Sequence, residues 1–143
     1  MSPASEPPPY ILEDNVGFIL RQVTQRHVAI FAEMMTEDLT PTQFSAIVKL
    51  YQQGPCSQNR LGRLTAMDAP TIKGVIDRLS RRGLTETRPD LADARLLIVS
   101  LTEVGRQAAE RAVPCGQRIT EATLAPLASP QQRQLLSLLK SLL

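Results

Sequence analysis

The sequence predicts a mainly α-helical chain of about six helices with one small β-hairpin, arranged as a winged helix-turn-helix with helices left over at both ends. Three observations carry that reading. Apolar residues recur at helical spacing along most of the chain, as in Ile72, Val75, Ile76 and Leu79, which fall at i, i+3, i+4 and i+7. A short segment with Leu61 and Leu64 precedes that helix across a tight connection, which is the spacing of a helix-turn-helix. Leu84–Arg88 and Leu96–Leu101 then bracket the turn-forming Pro89-Asp-Leu-Ala-Asp-Ala-Arg95, so a hairpin follows directly, as a wing does.

Each element has its own warrant. Residues 1–9 hold four prolines among small polar residues and cannot bury enough surface to order themselves, so they read as a flexible arm. Residues 10–143 read as a single domain. From about Tyr10 the chain turns helical, with Val16, Leu20, Val23, His27, Ile30 and Met34 on one face. Thr40 and Pro41 open the next helix, which buries Phe44, Ile47, Val48 and Tyr51 and stops at Gly54-Pro55. Ser57 caps the short helix that follows, although Arg60 stands where a capping box would place Glu or Gln.

Asp68 is the N-cap of the fourth helix, Pro70 suits its first turn, and Gly83 ends it in the left-handed conformation. Thr102 caps a long helix through Ala108, Ala109, Ala112, Ile119 and Leu124, in which Pro114 removes one backbone bond and should introduce a kink. Ser129-Pro130 opens the last helix. Its Leu135, Leu136, Leu138, Leu139, Leu142 and Leu143 cover more than one stripe, which predicts burial against another chain. The terminal regions, about 10–37 and 103–143, are therefore assigned to dimerisation, and about 40–101 to the winged unit.

The outward face of the fourth helix carries Pro70, Thr71, Lys73, Gly74, Arg78, Arg81 and Arg82, a basic surface suited to a DNA major groove. Ser57 begins the preceding helix, and Arg88 and Arg95 flank the wing tip, where guanidinium groups can enter a narrow minor groove. Charge is distributed to match. Residues 57–95 hold eight Lys and Arg against five Asp and Glu, whereas residues 1–56 hold three against six. The footprint is consistent with phosphate contact.

Residues Leu39 to Gly105 resemble the DNA-binding core of the MarR (multiple antibiotic resistance regulator) family. The resemblance is carried by Leu39-Thr-Pro-Thr-Gln-Phe44, Asp68 to Leu79, Arg81-Arg82-Gly83-Leu84, Asp93-Ala94-Arg95 and Leu101-Thr102-Glu103-Val104-Gly105. With helices on both sides it extends over roughly Tyr10 to Leu143. Lys73 and Gly74 depart from the hydroxyl residue followed by a long cationic side chain that is frequent in the family. The resemblance implies a homodimer on a pseudo-palindromic operator with half-sites ~34–36 Å apart. It also implies an effector cavity between the dimerisation helices and the DNA-binding lobe. His27, Phe31 and Phe44, with Arg26 nearby, offer rings and a titratable donor suited to a small aromatic carboxylate.

Other classes find less support. One histidine, no Cys/His cluster at metal spacing, no phosphate-binding glycine loop and no nucleophile elbow point away from an enzyme, a metal or another cofactor. No leader-like or membrane-spanning run is visible, and Cys56 and Cys115 read as reduced thiols, so a cytoplasmic protein is expected. Two alternatives remain: a thiol-based redox regulator using Cys56 or Cys115, and a winged-helix module that binds protein instead of DNA.

Overall fold

The computed structural model describes residues 3–143, so Met1 and Ser2 of the expected arm lie outside the described residues. Pro3–Pro9 are exposed and without regular structure. The first helix begins later than Tyr10. A short 3-10 turn, Leu12–Asp14, comes first, and then the Asn15 side chain accepts from the Phe18 N–H at 3.0 Å and caps α1, Val16–Met34. A strong cap within the apolar pattern set this boundary.

The chain continues through α2 (Pro41–Gln53), β1 (Cys56–Ser57), α3 (Gln58–Leu64), α4 (Ala69–Arg81), β2 (Thr85–Pro89), β3 (Leu97–Leu101), α5 (Glu103–Leu124) and α6 (Ser129–Lys140). Thr40 and Gln43 form a full capping box at α2, with Thr40 Oγ1 accepting from the Gln43 N–H and Gln43 Oε1 from the Thr40 N–H. The small antiparallel sheet has the order β1-β3-β2, with Thr85 opposite Leu101, Pro89 opposite Leu97, and Cys56 opposite Val99. The hairpin is the expected wing. Its third strand was not expected, because two residues are too short to show an alternating pattern.

The core lies where α2, α3, α4 and the base of the sheet meet α5. Ile47, Leu61, Ile72, Ile76, Leu79, Val99 and Ala109 are fully buried there. Dense packing of this kind transmits displacement from one element to the next.

One junction ties α4 to α5. Gly83 has φ 74°, and beyond it the Leu84 N–H returns to Leu79 O at 3.0 Å, closing the helix end. Leu84 O accepts from the Thr102 N–H at 3.1 Å, while Thr102 Oγ1 donates to Gly83 O at 2.6 Å and accepts from the Gly105 N–H at 3.0 Å. A Cβ on Gly105 would lie 1.9 Å from Leu84 O, so only glycine lets α5 start this close.

Along α5, Pro114 lies on the exposed side and the helix continues past it to Leu124. Helix α6 begins at Ser129 with Pro130 in its first turn, as expected, and the Ala128 N–H at the N-cap position donates to Gln131 Oε1 at 3.0 Å. Gln132 Nε2 holds the connection by donating to Leu124 O and Leu127 O, each at 3.0 Å.

The ends of the chain leave apolar surface uncovered. No residue of α6 is buried, and Leu138 and Leu142 are 57% and 70% exposed. On α1 only Phe31 is buried, and Val16 and Val23 of the predicted stripe are 63% and 50% exposed.

Gly105→Ala is expected to destabilise the protein by at least the ~1–3 kcal/mol of an overpacked core site, measured by urea unfolding. A variant with an unchanged midpoint would show that the α4–α5 junction yields easily.

Candidate nucleic-acid interface

Helix α4 presents two unlike faces. Ile72, Val75, Ile76 and Leu79 are buried in the core, and Pro70, Thr71, Lys73, Arg78 and Arg81 are exposed, with Gly74 partly so. The first turn is fixed by Asp68, whose Oδ1 accepts from the Thr71 N–H at 2.8 Å. Hydrogen bonding from Thr71, through its side chain first and its N–H second, holds the Asp68 carboxyl below its ordinary value of 3.8. Ser57 ends β1 and caps α3, its Oγ accepting from the Arg60 N–H at 3.2 Å. With Gln58, Asn59, Arg95, Leu96 and Leu97 it lines a cleft of about 100 Å³ between the start of α3 and the wing. Gln58 and Asn59 were not read as interface residues from the sequence, which shows no contact between α3 and the wing.

Several cations of this surface already have partners. Lys73 Nζ pairs with Asp77 at 2.9 Å, Arg88 with Glu86 at 2.7 Å, and Arg95 with Asp93 at 3.0 Å. Hydrogen bonds from Arg95 hold the Asp93 carboxyl below its ordinary value. Exposed pairs of this kind are worth only ~0.2–1 kcal/mol each, so they restrain the side chains loosely. Among the described residues Arg78 and Arg81 have no ion pair.

Arg82 is exposed, as expected of the outward face, but its guanidinium is already engaged, donating to Asp38 O at 2.8 Å and Glu37 O at 3.2 Å. Glu37 in turn pairs with Arg111 of α5 at 2.5 Å. Two carbonyls in the α1–α2 connection, where Asp38 has φ 52°, provide acceptors that no sequence pattern reveals.

The four residues read as effector-binding fall into two places. Phe31 and Phe44 meet edge to face, with ring centroids 5.7 Å apart. Phe44 also lies against α5 where Gly116 leaves room, since a Cβ there would sit 2.5 Å from Phe44 Cζ. His27 and Arg26 instead reach the C-terminal end of α5. His27 Nδ1 lies 2.8 Å from Thr123 Oγ1, and Arg26 donates to Thr123 O at 2.7 Å and Ala122 O at 3.1 Å. A cation there satisfies terminal carbonyls and complements the helix dipole.

Open gaps lie on either side of the aromatic pair. One of about 270 Å³ is lined by Phe31 with Val28, Met35, Leu39 and neighbouring residues. The other, about 380 Å³, lies between α2 and the end of α3, lined by Phe44, Val48, Lys49, Gln52, Leu64 and Thr65 among others. Neither is lined by His27 or Arg26. Lys49 places a cation at this gap, which Arg26 does not reach.

The two thiols differ. Desolvation raises the Cys56 pKa, with Arg60 opposing it, so this sulfur is held as the thiol. Cys115 is buried, with Thr36 Oγ1 at 3.3 Å and Arg118 Nη2 at 3.4 Å, and the Thr36 bond lowers its pKa. Among the described residues no three His, Cys, Asp or Glu side chains gather as a metal site, and no helix is long and apolar enough to cross a membrane.

A helix pair presenting a basic outer face beside a β-hairpin, held on a helical scaffold, defines the winged helix-turn-helix class of transcriptional regulators. The comparisons agree. The MarR family model matches residues 39–97. The HTH-type transcriptional repressor NicR of Pseudomonas putida is 36% identical over 146 residues, spanning 99% of this chain and 92% of its own. A probable transcriptional regulator from Pseudomonas aeruginosa superposes with a TM-score of 0.91 at 49% identity, covering 93% of this chain and 100% of that one. Bordetella bronchiseptica BpsR, whose DNA binding is regulated by 6-hydroxynicotinic acid, superposes with a TM-score of 0.89 at 38% identity, covering 94% and 96%. The chain belongs to the MarR family and is a transcriptional regulator.

The lowered pKa of Asp68 gives a pH signature. A carboxylate whose folded pKa is depressed stabilises the fold fully above its ordinary 3.8 and loses that contribution as pH falls through the lower folded value. Asp68→Asn keeps a good cap without the charge. Its stability relative to wild type, followed by urea melts, is expected to rise as pH drops below about 3.8. Parallel profiles would mean that the carboxylate's charge adds nothing.

Proposed function

We propose that the protein is a homodimeric repressor that binds a pseudo-palindromic operator and is released from it by a small aromatic or heteroaromatic acid. The observation that carries this reading is the exposed basic face of α4 beside the wing, on a scaffold whose α1 and α6 leave apolar faces uncovered. In this reading residues 1–9 are an arm, α1, α5 and α6 form the dimerisation region, and residues 40–101 contact DNA. Ser57, Pro70, Thr71, Lys73, Gly74, Arg78, Arg81, Arg88 and Arg95 form the contact surface, the helix in the major groove and the wing arginines in the minor groove. A second copy would cover the leucines of α6, each worth ~1.5–3 kcal/mol when fully buried.

The repressor assignment is supported by the likeness to NicR, and the acid effector by BpsR, whose ligand is a heteroaromatic acid. The gap beside Phe44 suits such a molecule, because apolar walls, an aromatic ring and Lys49 match a planar anion. In this role Phe31 supports the Phe44 ring, and His27 and Arg26 fix α1 on α5 at the far end. An effector acts only by its difference in affinity for the free and DNA-bound shapes.

The experiment uses duplexes selected from a random-sequence pool. Binding should weaken steeply with salt, the logarithm of affinity falling by ~0.9 per decade for each phosphate contact. A flat salt dependence would remove the DNA-binding reading. Arg95→Ala should cost ~1–3 kcal/mol of specific affinity, and unchanged affinity would exclude the wing from the interface. Deleting residues 137–143 should abolish folding or leave monomer by sedimentation, and a truncated dimer that still binds would refute the assignment of α6. Addition of 6-hydroxynicotinic acid should raise Tm and release the duplex. Lys49→Met should blunt both responses while leaving duplex affinity intact, and a full response would place the effector elsewhere.

A further inference from the structure

Of the seven glycines in the chain, six have a reason inside the molecule. Gly54 and Gly83 have φ of 81° and 74°, which disfavours any side chain. At Gly105, Gly116, Gly62 and Gly17 an added Cβ would meet a neighbour at 1.9, 2.5, 3.1 and 3.2 Å. Gly74 has neither. It lies mid-helix in α4, its φ is not in the left-handed region, and a Cβ there would meet only Arg78 Nη1, at an ordinary 3.7 Å. A glycine in a helix interior costs stability relative to alanine, and nothing in the fold recovers that cost.

What the missing side chain leaves is a notch on the DNA-facing side. Pro70 and Thr71 stand one turn before it, and Asp77 and Arg78 one turn after. Asp77 is drawn to Lys73 at 2.9 Å. The Arg78 guanidinium lies back over Gly74, as helical side chains tilt toward the N-terminus. The place of the missing methyl is thus bordered within 4 Å only by the Arg78 guanidinium, which has no ion pair among the described residues. In the major groove the one apolar knob is the thymine C5-methyl, and the commonest partner of arginine is the O6/N7 edge of guanine.

We infer that Gly74 is a specificity-determining residue whose bare backbone admits a thymine methyl, with Arg78 reading a guanine next to it in each half-site. The inference rests on the DNA-binding reading above. Selection from a random duplex pool identifies the preferred sequence, and each thymine in turn is replaced by uracil, which removes the methyl alone. At one thymine per half-site, uracil should weaken wild type about fourfold, the worth of one buried methyl. Gly74→Ala, which fills the hollow, should bind the thymine duplex at least that much more weakly and no longer distinguish uracil. Its Tm should equal or exceed that of wild type, because alanine favours the helix.

Gly74→Ala binding the thymine duplex with wild-type affinity would overturn the inference, as would an equal loss with uracil in both proteins. So would a fall in Tm, which would reveal an internal role for the glycine. If wild type enriches no sequence, the DNA-binding reading fails with it; if it enriches one with no coupling between thymine and Gly74, only this inference fails.

Discussion

The close approach of α5 to the end of α4 is the constraint on which the arrangement depends. With Leu84 O bonded to the Thr102 N–H and facing the bare Cα of Gly105, the end of one helix becomes the docking point of the next. Thr102 joins the two ends by donating to Gly83 O and capping α5. Both motifs at this junction, Arg81-Arg82-Gly83-Leu84 and Thr102-Glu103-Val104-Gly105, thereby acquire a physical meaning. They make one rigid corner out of two helix termini.

Arg82 reinforces that corner from the other side by holding the carbonyls of Glu37 and Asp38, while Glu37 pairs with Arg111. The α1–α2 connection is thus tied to the helix with the basic outer face and to the helix that leaves for the scaffold. A shift of α1 relative to α5 cannot be absorbed in a loose loop. It must either break these bonds or carry the end of α4 with it, and packed interiors favour the second response.

Most of this fold was legible because its signals are local. Thr40, Ser57, Asp68 and Thr102 each cap the helix expected of them, and Ile72, Val75, Ile76 and Leu79 bury as their spacing required. What escaped was set by contacts distant in sequence. Strand β1 exists only because β3 lies beside it, and the Arg82 guanidinium is engaged because carbonyls 44 and 45 residues away accept it. The candidate site shows the same division. The outward face of α4 follows from periodicity, yet periodicity could not separate Arg26 and His27, which bind the end of α5, from Phe31 and Phe44, which pack together. Nothing in the spacing marks Lys49, because Leu64 and Thr65, which share its gap, lie at the end of another helix.

Under the proposed docking, the carboxylates beside Lys73, Arg88 and Arg95 have a consequence for how the protein searches a genome. A cation that must give up its own carboxylate gains less from an arbitrary phosphate than a bare one does, so these three add less to the hold on non-cognate DNA than their number suggests. Only where groove shape and base edges offer a better partner is exchanging Asp77, Glu86 or Asp93 for DNA favourable. The hold of a decoy site is then smaller than the count of cations alone implies.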